Sequence, residues 1–598
     1  MPDALDSQQP TPSLAEPPRG LGPLFSLLLL WLLPAALASV LRSALKVPLW
    51  VGASAGLLLV YGVTWKAVSR RRPWPTHLPF ALLQALYVIV AMEVTWRMLG
   101  IPAMQGLVST GGGDAGNHAA LRADFVTRTP GTYQGFTVFH TVTYGLEQLF
   151  GQDAFASFRA TFYLVPAVLA VALTVGLEAA VGRLGRTGRA LVVAQVALLA
   201  ATVAVWPHLL LRLLHYHQGE GFYAHLFGLV PLVLAWLAYA LPGAAWARCG
   251  ALAVFTVLYR YTYGLNLGDF LFTCGVLVLL EGTTSLGPKY RRWAWPVGLA
   301  LLAAAAYAYW RLLPLAHVSG GFVPHAHERA LRVQAWTVAG LLVVRFLIPR
   351  GEGVERRLLD FALLFGGVNA GVQGAYLWAK LPIDYYFLKY GLHALVLLLS
   401  AAMLVASARF GALPHLGTES PRGRAWSVGL ALLVTVLLVE VTRGWGRSFK
   451  VYDHTYEERV RGTPPFQYLD ALEDRGGSAL IRRVLRERGK RFGGLLTPSW
   501  PRLNFSNVAL GWVPEDWQAR NGHWSVFKNG AVKEAPGTCV FWESSEADWE
   551  SYRRIAAEGY PHLEAGVRRL HALPGRECQD HPAPWVPGGT RTLCYRCD

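Results

Sequence analysis

Charge is what this chain has least of for its size. Asp, Glu, Lys and Arg supply only 16% of its 598 residues, against 53% hydrophobic residues, and that leaves too little polar surface for a soluble protein of this length. A G-x-x-x-x-G-K-[ST] phosphate loop is missing, which argues against a nucleotide-driven transporter, and so is a helical H-E-x-x-H metal pair. The letters G-x-S-x-G do occur at Gly52-Ala53-Ser54-Ala55-Gly56, but inside an apolar run rather than the strand-turn-helix setting that exposes a nucleophilic serine. Cysteine is rare, with 6 in all. Cys249 and Cys274 sit in apolar runs and read as buried, inert thiols.

What is present is a succession of apolar runs, each near the roughly 20 residues needed to cross about 30 Å of hydrocarbon. About thirteen candidate crossings lie near 24–43, 47–65, 79–99, 158–182, 190–211, 224–244, 247–263, 266–281, 293–311, 333–349, 358–379, 388–407 and 425–443. The expected fold is an all-α polytopic membrane protein with a small C-terminal α/β domain outside the membrane. Its divisions are a cytoplasmic tail at 1–23, a membrane module at 24–443 with an external loop at 100–157, and a soluble domain at 444–598. Ala36-Leu37-Ala38 resembles a signal-peptidase site, but an uncleaved first crossing is expected.

The net charge of +17 invites a nucleic-acid reading, yet much of it lies in short loops, where Lys and Arg mark the cytoplasmic side. No nucleic-acid partner is expected. Lys66, Arg70, Arg71 and Arg72 then lie inside, which places the loop carrying Asp114 outside. Counting a helix at 133–150 as a crossing would put Arg183, Arg186 and Arg189 outside. That helix carries His140, Tyr144, Glu147 and Gln148, so it reads as lying along the outer surface. Without it, the basic loops at Arg248, Arg291, Arg356 and Arg409 fall inside, and the histidines from His118 to His327 fall on external loops and crossing ends.

Asp114-Ala-Gly-Asn-His118, followed by Tyr133-Gln-Gly-Phe-Thr-Val-Phe-His140, is similar to the D-x-x-x-H and Y-P-x-G-F-H pattern in the first external loop of GT-C glycosyltransferases, with Gln134 standing where proline is usual. Gly219-Glu220-Gly221-Phe222 and Asp384-Tyr385-Tyr386-Phe387-Leu388-Lys389 look like later loop motifs of such proteins. The resemblance covers roughly residues 79–410 and rests on the order of the motifs together with the topology. It implies an inverting transfer of sugar from a polyprenyl-phosphate donor to a hydroxyl of a glycan, lipid or protein acceptor, on the periplasmic face of a bacterial inner membrane.

In that reading Asp114 takes the acceptor proton, and His118 orients it or binds sugar. The structural alternative for Asp114 is a helix N-cap. His140, Tyr133, Glu220, Asp384, Tyr385 and Tyr386 would contact substrate. The anionic leaving group calls for cations at external crossing ends, which Arg329, Arg332, Lys380 and Lys389 supply. Their ordinary alternative is snorkelling to the headgroups. His215, His217, Glu220 and His225 are metal-ligand types without a recognised spacing, so no metal or cofactor is expected, a divalent cation being the alternative.

Beyond about residue 444 the apolar runs shorten and charges return. Cys594-Tyr-Arg-Cys597 has the spacing of half a zinc site but lacks a second close pair, so Cys539, Cys578, Cys594 and Cys597 are expected to form two disulfides, by one of three connectivities. Trp542, Trp549 and the other tryptophans of this tail read as core or as a glycan-binding platform. Within enzymes the rival is a polymerase or ligase of lipid-linked glycans. From another class it is a lipid or glycan transporter, or a non-catalytic assembly subunit.

Overall fold

The computed structural model describes residues 78–98, 118, 136–150, 154–182, 188–220, 222–241, 244–312, 324–348, 353–379, 386–412, 428, 429, 436, 439, 475–498, 536–557, 561–583 and 588–598. The expected crossings near 24–43 and 47–65, and nearly all of 425–443, lie outside these residues, as does the tail at 1–23. Each of the other expected crossings has a helix: α1 (Leu78–Met98), α3 (Ala154–Gly182), α4 (Gly188–Glu220), the broken pair α5 (Tyr223–Phe227) and α6 (Leu229–Ala240), α7 (Ala245–Thr262), α8 (Leu267–Thr284), α9 (Pro288–Leu312), α10 (Pro324–Leu347), α11 (Gly353–Trp378) and α12 (Tyr386–Ala412).

Six stretches among the described residues are long and apolar enough to cross a membrane, lying in α3, α5–α6, α8, α10, α11 and α12. Two of them, Tyr223–Ala240 and Lys389–Gly411, are 94% buried and form the centre of the bundle, whereas Ala330–Leu347 of α10 is 22% buried and lies at its rim. Since hydrocarbon satisfies side chains such as Phe346, Trp336 and Val343, their exposure on α10 is what a lipid-facing surface requires. Backbones approach closely where side chains are small. A Cβ added at Gly282 of α8 would stand 2.4 Å from the Ala294 Cβ of α9, the type of contact that drives helix association when there is no water to expel.

Helix α2 (Thr137–Phe150) is 14 residues long, about 21 Å at 1.5 Å per residue. That is too short to cross. It buries Val138, Phe139, His140, Val142 and Thr143 while Gln148 stays exposed, and it packs on α3 and α7.

Successive helices run in alternating directions, and this sorts polar side chains to two ends. At one end Arg248 meets Glu281 at 2.6 Å, Arg345 meets Asp360 at 2.5 Å, Arg409 pairs with Glu355, and Arg357 donates to the Ala240 carbonyl at 2.9 Å. The opposite end collects histidines, tyrosines and amides. Cys249 in α7 is half-buried rather than enclosed, while Cys274 in α8 is buried as expected.

The C-terminal region forms a four-stranded sheet of order β1-β2-β4-β3 from β1 (Arg491–Leu496), β2 (Thr538–Glu543), β3 (Glu577–Pro582) and β4 (Thr590–Cys597). β1 and β2 are parallel; the other pairs are antiparallel. Alternation along the strands sends Leu495, Cys539, Phe541 and Tyr595 to one face under α13 (Arg475–Arg488). Leu496, Val540 and Trp542 face α14 (Glu546–Ala557) and α15 (Pro561–His571) on the other. Two disulfides, Cys539–Cys597 and Cys578–Cys594, tie β4 to both of its neighbours. Cys594 and Cys597 therefore have different partners, and the C-x-x-C letters do not make a metal half-site. Trp542 belongs to the core.

Candidate functional site

The histidine end of the bundle is built from four segments that are far apart in sequence. His118 is 6% exposed and brings its Nδ1 to 3.3 Å from His140 Nε2 on α2. It packs edge-on against Phe136 and Phe139. Phe136 itself has φ +59°, a left-handed conformation that a bulky side chain adopts at a cost of order 1–3 kcal/mol. The ring gained by that turn stacks on Tyr263 at 5.4 Å. From the next segment, His217 Nε2 lies 2.5 Å from His225 Nδ1, and Phe222 lies between them in sequence.

Helix α12 completes the cluster with Lys389 and His393. The Lys389 ammonium, on a residue only 2% exposed, rests on the face of Phe222, 2.8 Å from the ring centroid. His393 stacks on His225 with centroids 4.2 Å apart. That approach depends on Gly228, because a Cβ there would come to 2.9 Å from His393 Cε1. His393 Nε2 is 2.8 Å from the His225 backbone oxygen, which can only accept, so a neutral His393 carries its proton on Nε2 and its Nδ1 accepts from the Tyr259 hydroxyl at 3.0 Å. His225 Nε2 is buried with no hydrogen-bond partner among the described residues. Burial, reinforced by the charge of Lys389, pushes the His118 imidazole down to about 3, so it is neutral at physiological pH, with one ring nitrogen a donor and the other an acceptor.

Beside this cluster lies a second network, buried except for half-buried Tyr309. Asp269 on α8 accepts from the hydroxyls of Tyr390 at 2.5 Å and Tyr309 at 2.8 Å, and from the amides of Asn369 at 2.8 Å and Asn266 at 3.1 Å. Its four partners fill the acceptor capacity of a carboxylate. Asn266 and Asn369 also donate to the Tyr390 carbonyl at 2.7 and 3.0 Å, and Gln334 and Gln373 both donate to Asn369 Oδ1. Five helices, α8 to α12, thus hold the first turn of α12 in place. Lys389 is the residue before Tyr390, so the network fixes the backbone from which the buried cation projects.

Of the residues singled out in the sequence, the structure brings together His118, His140 and Lys389. Phe222, from the Gly219-Glu220-Gly221-Phe222 motif, joins them as the surface beneath the lysine. Arg332 does not join: its side chain is 69% exposed and its ion pair is with Glu328, one turn away. Asp114, Tyr133, Lys380, Asp384 and Tyr385 lie outside the described residues. Glu220 ends α4, Arg329 lies near the start of α10 and Tyr386 begins α12. No group of three or more metal-ligating side chains with the geometry to hold an ion occurs among the described residues.

The sequence reading missed His393, Tyr259 and the whole Asp269 network. The signal available was the presence of Asp269, Asn369 and His393 inside otherwise apolar runs, since ionisable and amide groups at membrane depth mark sites of function. No protein-family model matches the chain, and no curated protein or solved structure matches it either.

Proposed function

We propose that this chain is an inverting, GT-C-like glycosyltransferase that moves sugar from a polyprenyl-phosphate donor to a hydroxyl acceptor at the external membrane face. The observation that carries the reading is the meeting of separated loop motifs: His118, four residues after Asp114, His140 and Phe136, Phe222, and Lys389 all belong to one buried cluster. A carboxylate on that first loop is the base that activates the acceptor, and the neutral imidazoles offer hydrogen bonds to sugar hydroxyls. The desolvated Lys389 ammonium meets the departing phosphate, because an anion gains most from a cation held away from water.

The sidedness belongs to the same proposal. The arginine end faces the cytoplasm by the positive-inside rule, the histidine end faces outward, and thirteen crossings bring the C-terminal domain to the external side. Its disulfides support that placement, since they persist in oxidising compartments. The setting is a bacterial inner membrane, with the sheet domain in the periplasm.

The test is turnover of a purified polyprenyl-phosphate sugar by wild type and Asp114→Asn. The variant keeps the shape and loses the base, so a fall of roughly 10²–10⁴-fold is expected. Retention of more than about a tenth of the activity makes Asp114 a helix cap. A second reading, a lipid or glycan carrier, draws on the buried Asp269 network, because ionisable groups in a bundle interior line ion and substrate pathways. A carrier would move the lipid across vesicles and transfer no sugar, with Asp114→Asn as competent as wild type.

A further inference from the structure

At the arginine end, a groove of about 590 Å³ opens between α8, α10 and α11, within the roughly 300–1,000 Å³ usual for small-ligand sites. Its walls are Leu280, Val338, Leu342, Phe346 and Leu364, and three of these face outward: Leu280 is 46% exposed, Leu342 45% and Phe346 78%. They stand on the least buried of the membrane-length helices and on its neighbours, so the groove opens sideways into lipid rather than into water.

Its mouth is polar. Arg345 lies near the end of α10, and Arg356 and Asp360 in the first two turns of α11. Arg345 is held by Asp360. Arg248, Arg357 and Arg409 at the same end also have partners. Half-buried Arg356 makes no hydrogen bond or ion pair among the described residues, and the mouth carries two cations against one anion. From Arg356 to Leu364 along α11 is about 12 Å, while Gln373 of the polar network is about 25 Å away at 1.5 Å per residue. The groove is therefore separate from the histidine cluster.

We infer that this groove binds one anionic phospholipid of the adjacent leaflet, with its phosphate on Arg356 and one acyl chain lying against Leu342 and Phe346. An unpaired guanidinium offers two parallel donors to phosphate oxygens, and basic pockets between membrane helices take anionic headgroups. The lateral opening selects a lipid over a soluble anion. The inference does not depend on the reaction proposed above.

Native mass spectrometry of the full-length, delipidated chain, titrated with phosphatidylglycerol or with phosphatidylcholine of the same acyl chains, tests it. One phosphatidylglycerol per chain is expected, bound roughly tenfold or more tightly than phosphatidylcholine, with the preference removed in Arg356→Gln and restored in Arg356→Lys. Leu342→Trp, which changes only a lipid-facing side chain, should remove the adduct by filling the groove. Equal binding of the two lipids overturns the inference, as does an adduct that survives both Arg356→Gln and Leu342→Trp. Displacement of phosphatidylglycerol by inorganic phosphate at equal concentration would mean a simple anion site, and a dimer that forms as lipid is removed would mean a second copy of the chain; either result also overturns it.

Discussion

At one end of the helical bundle the buried arginines Arg248 and Arg409 meet the carboxylates of Glu281 and Glu355. At the other end the buried cation Lys389 lies on a phenyl ring among imidazoles, and the buried carboxylate of Asp269 accepts only from neutral hydroxyls and amides. Opposite charges in contact leave little for a ligand to gain, and such pairs hold helices together. The Asp269 carboxylate, by contrast, has only neutral donors around it and keeps its net charge inside the bundle. The paired arginines read as ties between helices, and the function proposed above puts its chemistry at the histidine end.

The largest expected effect breaks the comparison at its structural end. Arg248→Ala leaves Glu281 buried without its bidentate partner, which costs about 3–5 kcal/mol. Thermal unfolding in detergent should show it as a marked fall in Tm, while any activity of the surviving folded protein stays near wild type. Replacing both residues with apolar side chains of similar volume should recover most of the loss, because the pair as a whole is worth little more than good packing.

Asp269→Asn sharpens the comparison at the opposite end. The new amide must turn its NH₂ toward the Asn266 and Asn369 donors or toward two tyrosine hydroxyls, and either choice leaves buried groups mismatched at about 1–3 kcal/mol. The first turn of α12 then loosens, so Lys389 should lose position. A larger fractional loss in turnover than in stability is the expected pattern. A pure stability loss, like that of Arg248→Ala, would make the Asp269 network a structural tie.

A smaller effect concerns pH. His118 is held down at about 3 by burial and then by Lys389, against about 6.5 in the unfolded chain. Between those values the unfolded chain takes up a proton that the folded chain refuses, so stability is complete above about 6.5 and falls as pH is lowered through that range. At pH 5.5 the loss is about 1.4 kcal/mol. Melting profiles from pH 7.5 to 5 should therefore be flatter for His118→Asn than for wild type.

How much of this was legible in the sequence follows from distance along the chain. The apolar helices, six stretches of them among the described residues long enough to cross a membrane, the short helix α2 and the disulfide bonding of the tail cysteines follow from local patterns of run length, polar interruption and composition. His118, His140 and Lys389, which the structure brings near one another, were singled out because they lie in the motifs that carry the resemblance. Asp269 was not, because its partners Asn369 and Tyr390 are 100 and 121 residues away, and each is one polar residue in an apolar run. The choice among three disulfide connectivities was likewise closed to sequence, since it depends on which strands lie beside β4.

The central claim is that motifs separated along the chain act as one site at the histidine end. A double-mutant cycle on kcat/KM for a polyprenyl-phosphate sugar, using His118→Ala and Lys389→Ala, measures it most directly. Residues sharing one site should be non-additive, with a coupling of about 0.5–3 kcal/mol. Losses that add to within about 0.3–0.5 kcal/mol, or the absence of turnover of such donors by wild type, would contradict the account.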